Sequence, residues 1–482
     1  MKRFTDGFNR LVAALTAASP RSLTGMRYVS TRGAAPELGF CDVLLAGLAR
    51  DGGLYVPERW PALPELPASA GYAEVARRVI EPFVGGEIAS GVLERACTEA
   101  YASFRHPAVC PLVQIDSDGW LCELHHGPTL AFKDVALQLV GRLFDHVLHA
   151  RDERVTIVGA TSGDTGSAAI DGVRGLDRVD IVILYPRGRT SEVQRRQMTT
   201  VPDANVHCVA IDGSFDDCQD LVKAMFADEP FRRRLRLSAV NSINWARVMA
   251  QVVYYVTSAR SLGSRPVSFS VPTGNFGNVL AGFVATRMGL PIERLIVASN
   301  ANDILTRLIE TGTMQMRPVI PTLSPSMDIQ VSSNFERLLF ELNDRDGAAT
   351  REQLQAFRSS GSLRLEADQR AVLESSFSAA RLDDAGTLHA MRTIYERCGL
   401  LVDPHTAIGV AAAESVRPAG AVVTLATAHA AKFPEAVEQA TGRRPELPAH
   451  LADLYARPER LIDLPLDLTA VQRFVESVSR AR

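Results

Sequence analysis

The chain has 482 residues, 46% hydrophobic and 22% charged, with a formal charge of −3, so no overall basic excess draws it onto nucleic acid or anionic membrane. The length exceeds the roughly 100–200 residues of one domain, so two or three domains are expected. Seven scattered cysteines form no C-x-x-C pair or zinc-ligand array, and no uncharged apolar run reaches the ~20 residues of a membrane span, which together suggest a cytoplasmic protein with small-molecule partners.

Residues 1–25 carry four basic residues and one acid around the apolar patch Leu11–Ala18, a composition shared with targeting peptides. Met26 opens the better-patterned sequence, so 1–25 is read as an extension that is expected to be disordered. Residues 26–105 are turn-rich, with Asp51-Gly52-Gly53 and the prolines 57, 61, 64 and 67 preceding a helical segment at Tyr72–Val79. A small N-terminal domain is expected there.

The stretch His125-His126-Gly127-Pro128-Thr129-Leu130-Ala131-Phe132-Lys133-Asp134 then runs into a helical Val135–Phe144. A lysine beside Phe132 at the start of a helix is expected to be partly buried, and burial favours the neutral, nucleophilic amine that a Schiff base requires. Taken alone, Lys133 reads as an ordinary surface lysine, and its neighbours must decide. The adjacent histidines point in different directions on most backbones and have no evident third ligand, so they are read as shaping the loop and no metal site is expected.

From about residue 155, short β-branched runs alternate with longer amphipathic segments, the pattern of βα units around a largely parallel sheet. Expected strands are Val155–Val158, Asp180–Leu184, Val206–Ile211, Val267–Val271, Leu295–Ala298 and Val422–Leu425. Expected helices include Glu192–Thr199, Asp217–Phe226, Trp245–Ser261 and Asn278–Met288. In such sheets ligands bind beyond the carboxyl ends of the strands. After the first strand, Gly159-Ala160-Thr161-Ser162-Gly163-Asp164-Thr165-Gly166 leaves backbone N–H groups and hydroxyls open at a helix start, a setting for a carboxylate or phosphate and equally for a tight capped turn. The Arg232-Arg233-Arg234 cluster has no interleaved aromatic residues and reads as a solvated helix end. After Val267–Val271, Pro272-Thr273-Gly274-Asn275-Phe276-Gly277-Asn278 reads as a phosphate cradle, without the ending of a nucleotide P-loop. Residues 340–395 are charged and mostly helical in pattern. After Val422–Leu425, Thr427 can set a hydroxyl at a strand end, although a lone threonine is usually a cap or packing residue.

Together these segments resemble the threonine synthases of the longer bacterial and yeast type, within the pyridoxal-phosphate enzymes of the tryptophan-synthase β-like fold (fold type II). The likeness covers about residues 26–440. It rests on Met26–Gly33, Asp51–Pro57, His126–Asp134, Thr161–Gly166, Asn241–Arg247, Gly274–Asn278, Pro325–Gln330, Ser333–Arg337 and Thr427-Ala428-His429. It implies largely parallel sheets flanked by helices with a small N-terminal domain at 26–105, a pyridoxal-phosphate-binding catalytic region of two subdomains at 106–445, and a C-terminal helical tail at 446–482. It implies further that Lys133 carries the Schiff base, that Gly274, Asn275, Phe276, Gly277 and Asn278 hold the cofactor phosphate, and that Thr427 contacts the ring nitrogen. Ser162, Gly163, Asp164 and Thr165 are implied for the substrate carboxylate, and Asn241 with Arg247 for the phosphate of O-phospho-L-homoserine. The implied activity is a carbon–oxygen lyase reaction yielding L-threonine and phosphate, in a monomer or homodimer. Asp164 stands where the wider fold family often has asparagine, and Val135 and Ala430 replace the more usual Phe and Pro, which bears on fine specificity. Competing readings are another lyase of the same fold, such as a serine/threonine dehydratase, which has no need of Asn241 and Arg247, and a catalytically silent homologue that only binds the cofactor.

Overall fold

The structure is a computed structural model that describes residues 25–239, 241–263 and 265–481; the expected extension, apart from Gly25, lies outside the described residues. Two sheets carry the architecture. The larger has six strands in the order 377–381, 292–299, 267–272, 422–426, 119–123, 112–114, all parallel except the last, which runs antiparallel to its neighbour. The smaller has five parallel strands in the order 462–464, 206–211, 179–186, 155–160, 237–238. All six strands expected from the sequence are present, each within a few residues of its expected ends.

Burial on both faces explains why those runs were visible. All eight residues of Val179–Pro186 are buried, as a central parallel strand requires. Between the sheets' helical layers runs Trp245–Ser261, buried around almost its whole circumference and started by the Asn244 side chain, which accepts from Ala246 N–H. It packs against helices Tyr72–Val84, Lys133–Arg151 and Gly277–Arg287.

The N-terminal unit shares this core. Trp245 is fully buried among the rings of Tyr28, Trp60 and Phe83, at centroid distances of 6.1, 5.8 and 5.7 Å. A buried ion pair adds to the junction: Arg32 donates to both carboxylate oxygens of Glu336, at 3.0 and 2.8 Å. The expected helical tail contains the helix Leu468–Val478, but Ile462–Leu464 also adds an edge strand beside Val206–Ile211. Three residues are too few to show a strand's period of two, so the sequence carried no sign of it. Arg233 and Arg234 pair with Glu229 and Glu476 at an exposed helix end, as solvated arginines should. Among the described residues, no helix is long and apolar enough to cross a membrane.

Candidate active site

Strand ends bring the singled-out segments to one place. The Gly119–Glu123 strand delivers the loop that ends at Lys133, and three backbone bonds fasten this loop to the one after Val422–Ala426: Leu124 N–H to Ala426 O (3.0 Å), His429 N–H to Leu130 O (3.0 Å) and Phe132 N–H to Thr427 O (2.8 Å). Leu130 takes a φ of 65°, a strained value for a leucine, within this junction. His126 shapes the loop through a 2.8 Å bond between its Nε2 and Glu123 Oε2.

Lys133 is the first residue of the helix Lys133–Arg151 and is only 8% exposed. Its Nζ lies 3.1 Å from Asp164 Oδ2 and 4.8 Å from the centre of the Phe132 ring. Burial lowers the amine's pKa below the ordinary 10.5, the positive charges of Lys432 and Arg247 lower it further, and Asp164 opposes them. The helix N-terminus also disfavours the ammonium form.

In the Thr161–Gly166 loop the Thr161 hydroxyl accepts from the N–H groups of Gly163 and Gly166. Gly163 sits at φ 147°, and a Cβ there would fall 2.5 Å from the Gln194 side chain, so glycine is needed. The Asp164 side chain turns inward to Lys133, to Lys432 (2.9 Å) and to Gln194 Nε2 (2.8 Å). A carboxylate so engaged repels a second one. What the loop leaves to an anion is the N–H groups of Ser162, Asp164 and Thr165, which donate to no partner among the described residues.

The glycine turn is built the same way. Thr273 N–H donates to Ala298 O and Leu280 N–H to Phe276 O; between them no N–H of residues 274–279 donates among the described residues. The turn's carbonyls are held from the other side, Gly274 O by the Ser332 hydroxyl (2.8 Å) and Asn275 O by Asn334. Phe276 adopts φ 60° to open the helix Gly277–Arg287, and a Cβ on Gly274 would meet Ser326 O at 2.3 Å. Asn278, 6% exposed, accepts from Tyr254 and Tyr255 while its Nδ2 has no partner. Asn275 is exposed.

Residues 241–247 lie against this turn. Asn334 Nδ2 bridges Ser242 O (2.9 Å) and Asn275 O (3.0 Å), and the buried Arg337 fixes Asn334 while donating to Ile243 O (2.6 Å) and Tyr55 O (2.9 Å). Asn241 is half-buried, and its Oδ1 accepts from Ile243 N–H. Arg247, 3% exposed, has no partner for Nε or Nη1, and burial pulls its guanidinium from 12.5 to about 10. Thr427 is buried at the carboxyl end of its strand. Lys432, wholly buried and in contact with Asp164, was missed in the sequence: one lysine in Ala430-Ala431-Lys432-Phe433 carries no signal of burial.

A buried lysine beside two loops whose backbone N–H groups have no partner among the described residues, at the strand ends of a largely parallel α/β fold, defines a site suited to a lysine-dependent enzyme of anionic small molecules. Three family profiles match: threonine synthase N terminus over 27–101, pyridoxal-phosphate dependent enzyme over 111–428, and threonine synthase C-terminal over 406–475. Threonine synthase of Pseudomonas aeruginosa is 56% identical over 93% of this chain and 98% of its own, and that of Saccharomyces cerevisiae 40% identical over 86% and 88%. The crystal structure of PLP-bound threonine synthase from Brucella melitensis superposes with a TM-score of 0.92 at 55% identity, covering 95% of this chain and all of that one. The yeast threonine synthase structure gives 0.89 at 37% identity, over 95% and 99%. The chain belongs to the threonine synthase family of pyridoxal-phosphate-dependent lyases.

Proposed function

We propose that this chain converts O-phospho-L-homoserine and water into L-threonine and phosphate, with Lys133 as cofactor anchor and proton carrier. The observation that carries the reading is Arg247, a buried guanidinium with two unpartnered nitrogen atoms, whose charge is felt at Lys133. A site shaped for a substrate without phosphate has no use for such a group, because burying an uncompensated charge is unfavourable.

Two phosphates need two cradles. The open N–H groups of residues 274–278, with Asn278 Nδ2, suit the phosphate of pyridoxal phosphate, and the Ser326 carbonyl packed where a Cβ of residue 274 would lie fixes the shape of the turn. Thr427 would meet the ring nitrogen with a neutral hydroxyl. When bound, the cofactor supplies an electron sink that makes protons on carbons near the substrate amine removable.

The chain's own residues do the rest. Ser162, Gly163 and Thr165, with the backbone of Asp164, would receive the substrate carboxylate through the unpartnered N–H groups. Arg247, with Asn241, would hold the substrate phosphate with charge-assisted hydrogen bonds that strengthen as phosphate leaves the γ-carbon. Lys133, its amine made less basic by burial, would remove the α-proton and move protons at the β-carbon; phosphate leaves the γ-carbon, which then takes a proton, before water adds at the β-carbon.

Incubation of the purified protein with O-phospho-L-homoserine should release phosphate and form threonine in equal amounts. Cofactor-loaded protein that instead forms keto acids from serine or threonine, and releases no phosphate, would establish the dehydratase reading.

A further inference from the structure

We infer that Lys432 is the counter-charge of Asp164 that lets Lys133 work as a neutral amine, which makes Lys432 a positioning residue of the reaction. The inference rests on the proposed role of Lys133 as nucleophile and base. Lys432 Nζ lies 2.9 Å from Asp164 Oδ1 and donates to Thr129 O at 2.7 Å, while Lys133 Nζ lies 3.1 Å from Asp164 Oδ2. All three side chains are buried, so two ammonium groups share one carboxylate and the cluster carries an excess positive charge when both are protonated.

A buried cluster relieves that excess by releasing one proton. The surroundings select which lysine releases it. Lys432 has two acceptors, Asp164 and the Thr129 carbonyl; Lys133 has Asp164 alone and also faces Arg247. Lys133 is therefore the group that becomes neutral, leaving Asp164 and Lys432 as a balanced pair. The other charged group near Lys432 is Asp134, which accepts from Thr129 N–H and Oγ1 and whose pKa burial pushes up to about 7, with Asp171 beyond it. Without Lys432, a neutral Lys133 would leave Asp164 with only Gln194, so Lys133 would keep its proton.

The test compares the wild type with Lys432→Met, Asp164→Asn and the double variant. The first readout is the rate at which cofactor-free protein captures pyridoxal phosphate, followed by absorbance from neutral to alkaline pH. A charge within a few ångströms shifts a pKa by about 1–3 units, so removing the like charge in Lys432→Met should move the inflection up by that amount and slow capture at neutral pH roughly tenfold or more. The double variant removes both charges and should return the inflection to near the wild-type position. An inflection unmoved in Lys432→Met, or a double variant no faster than Lys432→Met, would overturn the inference. The second readout is thermal unfolding of the cofactor-free proteins: Asp164→Asn, which leaves the buried Lys432 without a carboxylate, should unfold below both the wild type and the double variant. If the two effects simply add in the double variant, the lysine and aspartate are not a charge pair. Neither readout uses O-phospho-L-homoserine, so failure of the proposed reaction would show separately, as a wild type that captures cofactor but forms no threonine.

Discussion

Replacing Arg247 with methionine should make the cofactor-free protein more stable and the enzyme far slower. The side chain is buried, and the fall of its pKa to about 10 corresponds to about 3 kcal/mol of unfavourable burial of charge. Because the folded-state value of this base lies below the unfolded one, the wild-type penalty is complete below about pH 10 and fades above it. Methionine keeps much of the side-chain volume, so thermal unfolding without ligand at neutral pH should occur at a temperature a few degrees higher, roughly, in the variant. Phosphate should stabilise the wild type more than the variant, which keeps only the cradle at residues 274–278. With substrate, the lost bonds to the leaving phosphate should cost about 2–5 kcal/mol, or roughly 30- to several thousand-fold in kcat/KM. A variant that is less stable without ligand and keeps kcat/KM within about threefold would show that Arg247 is a structural arginine and refute the reasoning.

Three further outcomes follow from particular contacts. Gly274→Ala would put a Cβ 2.3 Å from Ser326 O, a backbone atom that cannot swing away, so the turn should shift and pyridoxal phosphate affinity, read by absorbance titration, should fall at least about tenfold; unchanged affinity would show that the shape of this turn does not govern cofactor binding. Glu336→Gln breaks the pair that ties Arg32 to the body of the molecule and should cost on the order of 3 kcal/mol in denaturant unfolding, whereas a loss within about 0.5 kcal/mol would mean that the pair contributes little. In the wild type, capture of pyridoxal phosphate should rise with pH and level off below the 10.5 of an ordinary lysine, since burial favours the neutral form of Lys133; a profile centred on 10.5 would place the amine in solvent.

Strands such as Val155–Ala160 and Ile292–Ser299 were legible because their buried stretches Val155–Val158 and Leu295–Ala298 are uninterrupted apolar or β-branched residues. Gly119–Glu123 and Phe377–Arg381 were not, since Gly-Trp-Leu-Cys-Glu and Phe-Ser-Ala-Ala-Arg lack such runs and gain their state from pairing in the sheet. In the site, the Gly274–Asn278 turn could be read from residue type and spacing, whereas Arg247 was singled out only through the family resemblance. Lys432 could not, because its burial is decided by a fold that brings residues 129, 164 and 432 together from three loops. Asp164 was read with the correct loop, but which way its side chain turns depends on two lysines distant in sequence.

The most direct test of the account is a comparison of the wild type and Lys133→Ala, each mixed with pyridoxal phosphate and O-phospho-L-homoserine while the visible absorption band and threonine formation are measured together. The account predicts both signals in the wild type and neither in the variant, with the variant still folded by circular dichroism. A Lys133→Ala protein that kept the band and went on forming threonine would contradict it.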